Sequence, residues 1–174
     1  MNHYGLYIKL MNRLVPNALL CVLEYWFDSC MTCVRWGNDV SNFIALECGV
    51  RQGGVLSPYL FAIFIDDIIK EVKKSELDCK LKHENVGIFI YADDIILLAP
   101  TVQSLQGMLQ VCERELAWLD MSLNTKKSLC MRFGPRYNAK CHDICTANGD
   151  CLSWPFMGQF LSLSWGLFMC LELF

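Results

Sequence analysis

The sequence predicts a globular α+β domain in which helices pack on an antiparallel sheet. Helix-like apolar periodicities alternate with paired apolar runs of strand length, in the order helix, hairpin, helix, hairpin, helix. The chain has 174 residues, of which 54% are hydrophobic, enough for one domain with a sizeable core. Its net charge of −3 gives no indication of a nucleic-acid partner, although a local basic patch remains compatible with this charge.

The first part of the chain predicts two short helices and a β-hairpin. Apolar residues recur at helical intervals over residues 4–15 and 17–28, and Pro16 marks a turn between them. The runs MTCVRW and SNFIAL, within residues 31–46, have strand-like composition. They surround the Gly-Asn pair at 37–38, which tolerates positive φ and therefore predicts a hairpin turn.

The segment GVRQGGVLSP, residues 49–58, predicts a loop that leads into a helix. Gly53 and Gly54 loosen the backbone of the loop. Ser57 followed by Pro58 is typical of a helix start, with a capping residue and then a proline at the first helical position. The predicted helix is YLFAIFIDDIIKEVKK.

A second hairpin and a long helix are predicted next. Residues 75–85 are polar and of mixed charge, which predicts a solvated connection. The runs VGIFIY and IILLA predict two strands that are joined by a short acidic turn at residues 92–94. One face of the helix that follows is apolar, at Val102, Leu105, Leu109, Cys112, Leu116 and Leu119.

Eleven cysteines raise the alternatives of disulfides, zinc ligands and free thiols. The Cys30/Cys33 and Cys141/Cys145 spacings resemble metal-ligand pairs. The cysteine count is odd, and the N-terminus has neither an apolar signal region nor a small-residue cleavage site. We therefore expect an intracellular protein, cytoplasmic or nuclear and not secreted, whose thiols are reduced.

The last residues, 156–174, form a mostly apolar tail. Its length would allow a membrane span. Gly158, Gln159, Gly166 and Glu172 interrupt the apolar run, and basic flanking residues are lacking. We therefore expect an apolar tail that adheres non-specifically and has no role in the fold.

Asp93 and Asp94 are the residues that most clearly suggest chemistry. Two unpaired carboxylates are costly to bury, so they should be solvated, hydrogen-bonded or neutralised by a cation. Magnesium prefers oxygen ligands and is typically held by one or two carboxylates together with substrate phosphates. The simpler alternative is that both aspartates belong to a solvated surface turn.

Four segments, taken in order, resemble one protein family. They are CVRWGN, GVRQGGVLSPYLFAIFIDDI, GIFIYADDIILLAPT and LNTKKSLCMRFGPR. Together they resemble the reverse transcriptase of LINE-type, non-long-terminal-repeat retrotransposons, over residues 2 to about 154. The resemblance implies a palm-like antiparallel sheet with packed helices. Intron-encoded maturases are a related alternative.

The resemblance implies roles for the YADD segment and for the glycine segment before it. Asp93 would be a magnesium ligand and Asp94 would assist at the same centre, in a family that uses two Mg²⁺ ions. Tyr91 and Ala92 would lie beside the primer terminus. The segment at 52–54, with Gln52, Gly53 and Gly54, would let the template and the incoming nucleotide approach, and Ser57 and Pro58 would begin the supporting helix.

The segment LNTKKS carries a further implied role. Asn124 and Lys127 match the family's spacing, and a cation there could steer the triphosphate or donate to the leaving pyrophosphate. From Met121 to His142 there is no acidic residue, and the basic residues are Lys126, Lys127, Arg132, Arg136 and Lys140. This basic stripe could contact phosphates in a salt-dependent way, or it could be an ordinary solvated surface.

The resemblance also identifies what the sequence lacks. We expect a partial palm domain over residues 1–154, without fingers, first catalytic strand or thumb, and an atypical tail over 155–174 that a shifted reading frame would explain. The missing carboxylate is not replaced by Asp28, Asp66 or Asp67, which the predicted helices carry. An intact relative would bind an RNA template, a DNA primer and a deoxynucleoside triphosphate.

We expect the fragment to be inactive alone and to have no stable membrane partner. Two alternatives remain open: a non-catalytic nucleic-acid-binding remnant that uses the basic stripe, and a small membrane-associated protein anchored by residues 156–174.

Overall fold

The computed structural model describes residues 1–82, 84–133, 140–154 and 166–172. The described residues form α-helices and small antiparallel sheets, which confirms the predicted α+β class. The chain divides into two compact units, Met1–Phe64 and Ile65–Phe174, and each is described by itself.

The helices of the described chain are α1 (His3–Asn12), α2 (Asn17–Asp28), α3 (Ser57–Lys74) and α4 (Val102–Trp118). The strands are β1 (Met31–Thr32), β2 (Arg35–Trp36), β3 (Asp39–Val40), β4 (Ile44–Ala45), β5 (Lys80–Leu81), β6 (Glu84–Asn85), β7 (Ile88–Tyr91), β8 (Asp94–Ala99), β9 (Leu129–Phe133) and β10 (Gly166–Glu172).

The first unit begins with the two predicted helices. The side chain of Asn2 caps α1 by accepting a hydrogen bond from the Tyr4 amide at 2.9 Å. Helix α1 ends at Asn12, earlier than predicted, and Leu14 has a φ of +58°. Pro16 precedes α2, as the sequence predicts, because its fixed φ suits the approach to a helix.

The predicted hairpin in the first unit is confirmed, as two nested ladders. Strand β2 pairs with β3 across the turn at Gly37, whose φ is +62°, and β1 pairs with β4 outside them. Each ladder has only two register pairs, so the hairpin is short. Its apolar side chains are largely exposed, with Trp36 at 85% and Phe43 at 72%.

The predicted start of α3 is correct to within one residue. The helix includes Ser57 itself, and Pro58 is its second residue. The Ser57 hydroxyl donates to the carbonyl oxygen of Arg51 at 2.6 Å, so it holds the preceding loop against the helix start.

The predicted solvated connection at residues 75–85 was wrong in part. Strands β5 and β6 form a two-pair ladder there, and Asp78 is only 4% exposed. The Cys79 amide donates to the Leu98 carbonyl at 3.1 Å, which draws the segment onto the hairpin of β7 and β8. Both carboxylate oxygens of Asp78 lack a hydrogen-bond partner among the described residues.

The second unit is built on a four-stranded antiparallel sheet with the order β7-β8-β10-β9. Strand β10 belongs to the tail that we expected to have no role in the fold, and that expectation was wrong for residues 166–172. The strand pairs with β8 on one side and β9 on the other. Its apolar sequence suits an interior strand, and Leu171 is fully buried. The rest of the tail lies outside the described residues.

Helix α4 covers this sheet through contacts with β8 and β10. Thr101 caps the helix by accepting a hydrogen bond from the Ser104 amide at 3.0 Å. The predicted apolar face is confirmed at Leu105, Leu109, Cys112, Leu116 and Leu119, which are all buried, whereas Val102 is half-buried. Burial raises the pKa of the Cys112 thiol to about 12.

The expectation of reduced thiols was wrong for one pair. Cys145 and Cys151 form a disulfide, so Cys145 is not available as the metal partner of Cys141 that the spacing suggested. Cys30 and Cys33 are free thiols. Sequence spacing does not specify disulfide connectivity, and here the two cysteines are brought together across a six-residue separation.

Candidate functional site: an acidic turn at one end of the sheet

The two neighbouring carboxylates lie at the tip of the β7–β8 hairpin. Tyr91 pairs with Asp94 in the register, so Ala92 and Asp93 form a two-residue turn between them. The sequence predicted the turn at 92–94, and the structure corrects this by one residue because Asp94 begins β8. Tyr91, Ala92, Asp93 and Asp94 are all exposed.

These carboxylates are chemically suited to a hard cation. Both are exposed, so binding an ion does not require the burial of an unpaired charge. Among the described residues no cluster of three or more His, Cys, Asp or Glu side chains could hold a metal ion. Two carboxylates nevertheless fit Mg²⁺, which commonly keeps several waters and takes other oxygens from substrate phosphates.

The turn holds Ala92 in a conformation that favours glycine. Its φ is +51°. In this left-handed region the Cβ atom of alanine costs about 1 kcal/mol relative to glycine, which has no Cβ. We predict that Ala92→Gly raises the free energy of unfolding by up to about 1 kcal/mol, because the relief of strain exceeds the entropy cost of glycine. Urea denaturation measures the change.

The control for this prediction is an alanine in a strand without positive φ. Ala45→Gly, in β4, should lower the free energy of unfolding by about 0.5 to 1 kcal/mol, since glycine weakens a strand. If both substitutions destabilise the protein to the same extent, the backbone of the acidic turn is not strained.

The sheet brings a second turn to the same end as the carboxylates. Strands β8 and β9 both run antiparallel to β10, so they start at the same end of the sheet. Cys170 of β10 pairs with Ile96 of β8 on one side and with Leu129 of β9 on the other. Asp94 lies two residues before Ile96, and Lys127 lies two residues before Leu129. Two strand spacings, about 10 Å, separate β8 from β9.

Backbone hydrogen bonds shape this second turn. The Asn124 carbonyl accepts from the amides of Lys127 at 3.1 Å and Ser128 at 2.9 Å. Asn124 is 5% exposed, whereas Lys126 and Lys127 are exposed. The turn therefore anchors its asparagine in the unit and leaves two ammonium groups at the surface.

The structure places the other basic residues less uniformly than the sequence predicted. Lys140 is exposed. Arg132 is half-buried, and its guanidinium donates to the Cys141 sulfur at 3.2 Å. Arg136 lies outside the described residues. The described members therefore do not form one uniformly exposed stripe.

The predicted glycine loop belongs to the first unit. The Gly54 amide donates to the Arg51 carbonyl at 3.0 Å, and Gly53 has a φ of +78°, so the turn requires glycine there. A Cβ atom on Gly54 would lie 2.7 Å from the Ser57 Oγ, which explains the second glycine. Gln52 is exposed.

Sequence reasoning missed the residues that β10 brings to the acidic turn. The register pairs Glu172 with Asp94. The tail offered no signal for this pairing, because it has no polar-apolar alternation and lies far along the chain from its partner strands.

The second unit thus presents two carboxylates on a hairpin tip and two lysines at the same end of its sheet, and these are the side-chain types that bind Mg²⁺ and phosphate groups. The family described as reverse transcriptase (RNA-dependent DNA polymerase) matches residues 2–159, and the chain belongs to this family. The match confirms the family that the four segments predicted.

Several retrotransposon proteins are similar to this chain. A Pol polyprotein of the R2 element of Nasonia vitripennis is 33% identical over 125 residues, covering 72% of this chain and 12% of that protein. The R2DM polyprotein of Drosophila melanogaster is 24% identical over 141 residues, covering 81% of this chain and 13% of that protein. The chain thus spans about an eighth of these relatives.

A third relative carries the activity in its name. The RNA-directed DNA polymerase from mobile element jockey of Drosophila melanogaster is 27% identical over 140 residues, covering 77% of this chain and 15% of that protein. These relatives confirm the prediction of a LINE-type reverse transcriptase by resemblance.

Proposed function

We propose that this chain forms the palm-like part of an RNA-directed DNA polymerase that holds the metal and the triphosphate. In the proposed reaction the primer 3′-hydroxyl attacks the α-phosphorus of a deoxynucleoside triphosphate, and pyrophosphate leaves. The observation that carries the proposal is the sheet register, which brings the acidic turn and the Lys127 turn to one end of the sheet.

Asp93 and Asp94 are the residues that would hold Mg²⁺. Bound there, Mg²⁺ would supply Lewis-acid stabilisation of phosphate charge. Lys127, at the same end of the sheet, would attract the triphosphate and stabilise negative charge on the leaving pyrophosphate. Lys127 would attract the anionic substrate directly, whereas the two carboxylates would repel it unless they hold Mg²⁺.

The remaining predicted residues would position the nucleic acid. Tyr91 is 84% exposed, and beside the small Ala92 it would face the primer terminus. Gln52 lies in the glycine loop, where two residues without side chains would let template and nucleotide approach the backbone. The RNA template, the DNA primer and an intracellular location belong to this proposal.

The test is a graft into an active relative. Residues 2–154 of this chain would replace the corresponding region of the jockey polymerase, and the chimera would be assayed for primer extension on an RNA template with Mg²⁺. We expect extension that requires deoxynucleoside triphosphates. A folded chimera that binds primer and template but does not extend the primer would contradict the proposal.

A second candidate function is a non-catalytic nucleic-acid-binding remnant. The exposed lysines Lys126, Lys127 and Lys140 favour it. It predicts RNA binding that weakens steeply with salt and does not change on Asp93→Ala. No helix in the described part of the chain is long and apolar enough to cross a bilayer.

A further inference from the structure

The disulfide closes a small hairpin after β9. Cys145 and Cys151 also form a backbone bridge, and the Thr146 amide donates to the Asp150 carbonyl at 2.9 Å. Gly149 turns the chain with a φ of +87°. We call residues 145–151 the cystine loop.

The cystine loop is attached to α4 by two side chains of that helix. The side-chain Nε2 of Gln106 donates to the backbone carbonyl of Cys145 at 2.8 Å, and its Oε1 accepts from the backbone amide of Cys145 at 3.0 Å. The Glu113 carboxylate accepts from the Ala147 amide at 3.0 Å. These bonds hold the first arm and the start of the turn against the helix, but they are few and partly exposed.

A cleft of about 310 Å³ lies where the loop meets the end of α4. Leu116 and Met121 contribute apolar walls, Thr125 comes from the turn that precedes Lys127, and Asn148 comes from the loop. Burial raises the pKa of Glu113, although its bond from Ala147 acts in the opposite direction. The docked loop therefore forms one wall of the cleft.

We propose that the Cys145–Cys151 disulfide is a redox-controlled clasp, whose reduction releases the cystine loop from α4 and opens the cleft. The inference does not depend on the proposed polymerase function. The physical basis is entropic, because the cross-link removes open conformations of the loop. The closed loop therefore loses less conformational entropy when it docks on α4, and after reduction the few docking hydrogen bonds must offset a larger entropy loss. The effect is local, since α4 keeps its own cap and its contacts with the sheet.

The chemistry requires a thiol reductant. Cys151 is exposed, so a reductant thiolate can attack its sulfur, and the S–S bond breaks to give a mixed disulfide and the Cys145 thiolate. A second thiol of the reductant then displaces Cys151. Two electrons and two protons end on the two cysteines, and the reductant becomes a disulfide.

The test is amide-resolved hydrogen exchange of the whole chain, before and after treatment with dithiothreitol. We expect the amides of Thr146, Ala147, Gly149 and Leu152 to exchange at least tenfold faster after reduction. The amides of α4 should change less than twofold. Peptide mapping without reductant would first establish that the two cysteines are linked in the air-oxidised protein.

Two variants distinguish the effect of breaking the Cys145–Cys151 bond from any other effect of dithiothreitol. Cys151→Ser should show fast loop exchange that dithiothreitol no longer alters. Cys48→Ser removes an exposed free thiol and should respond to dithiothreitol as the unmodified protein does. Three results would overturn the proposal: both cysteines found as free thiols in the oxidised protein, loop exchange unchanged by reduction, or equal acceleration in the loop and α4.

Discussion

Replacing Asp93 by asparagine is expected to lower primer extension by the jockey chimera about a thousandfold, equivalent to about 4 kcal/mol of transition-state stabilisation. Asparagine keeps the shape of the side chain but removes the charge that would hold Mg²⁺. The exposed position of Asp93 on the hairpin tip means that the fold does not depend on this charge. The measurement is kcat/KM for nucleotide addition at saturating primer and template.

Asp143→Asn is the matched control, because Asp143 is also an exposed aspartate of the second unit but lies outside the acidic turn. It should leave extension and the unfolding midpoint unchanged. Substituting Mn²⁺ for Mg²⁺ provides an independent measurement, since paramagnetic relaxation of water reports Mn²⁺ binding directly. Equal Mn²⁺ affinity and equal extension rates for Asp93→Asn and Asp143→Asn would show that Asp93 is not a metal ligand.

Gly87→Ala is expected to destabilise the protein by about 3 kcal/mol or more. A Cβ atom on Gly87 would lie 1.9 Å from the Asp78 Cβ and 2.8 Å from its Cα. A change of rotamer does not relieve a clash with these atoms. The backbones at Gly87 and Asp78 have little freedom to move apart, because both segments are bonded to Leu98. The Gly87 carbonyl accepts from the Leu98 amide at 2.7 Å, and the Leu98 carbonyl accepts from the Cys79 amide. Urea denaturation gives the free energy of unfolding.

Gly107→Ala is a control within the same unit. The added Cβ would lie 2.6 Å from the Leu77 Cδ1, the mobile end of a side chain, and alanine is favoured over glycine in a helix by about 1 kcal/mol. Its stability should therefore lie within about 1 kcal/mol of the unmodified protein. The double variant Asp78→Gly with Gly87→Ala should recover much of the loss. If the Gly87→Ala protein proves as stable as the Gly107→Ala protein, the close approach of Gly87 to Asp78 is contradicted.

The sequence was sufficient for features that depend on neighbouring residues. The helix boundary at Pro16, the positive φ at Gly37 and the turn at Asp93 follow from short patterns, because turn and cap preferences act over a few residues. The amphipathic face of α4 was equally clear, since its period of 3.6 residues persists for several turns.

Features that depend on distant residues were not predictable in this way. Polar composition around Asp78 suggested a solvated loop, but the hydrogen bond from the Cys79 amide to the Leu98 carbonyl draws the segment inward. The Cys145–Cys151 bond was missed because spacing does not fix connectivity. The position of β10 was missed because its apolar run carries no alternation, and a strand's partners are set by the whole sheet.

The interior position of β10 has a consequence for how the chain acquires its structure. Among the described strands, β10 (residues 166–172) lies between β8 and β9 and pairs with both, so during synthesis each of the two leaves an unpaired edge until those residues emerge. Pairing of such sequence-distant segments is slow because loop closure must precede it. The nascent chain is therefore expected to be prone to aggregation in this interval, and chaperone binding should concentrate on partial chains that end before Gly166.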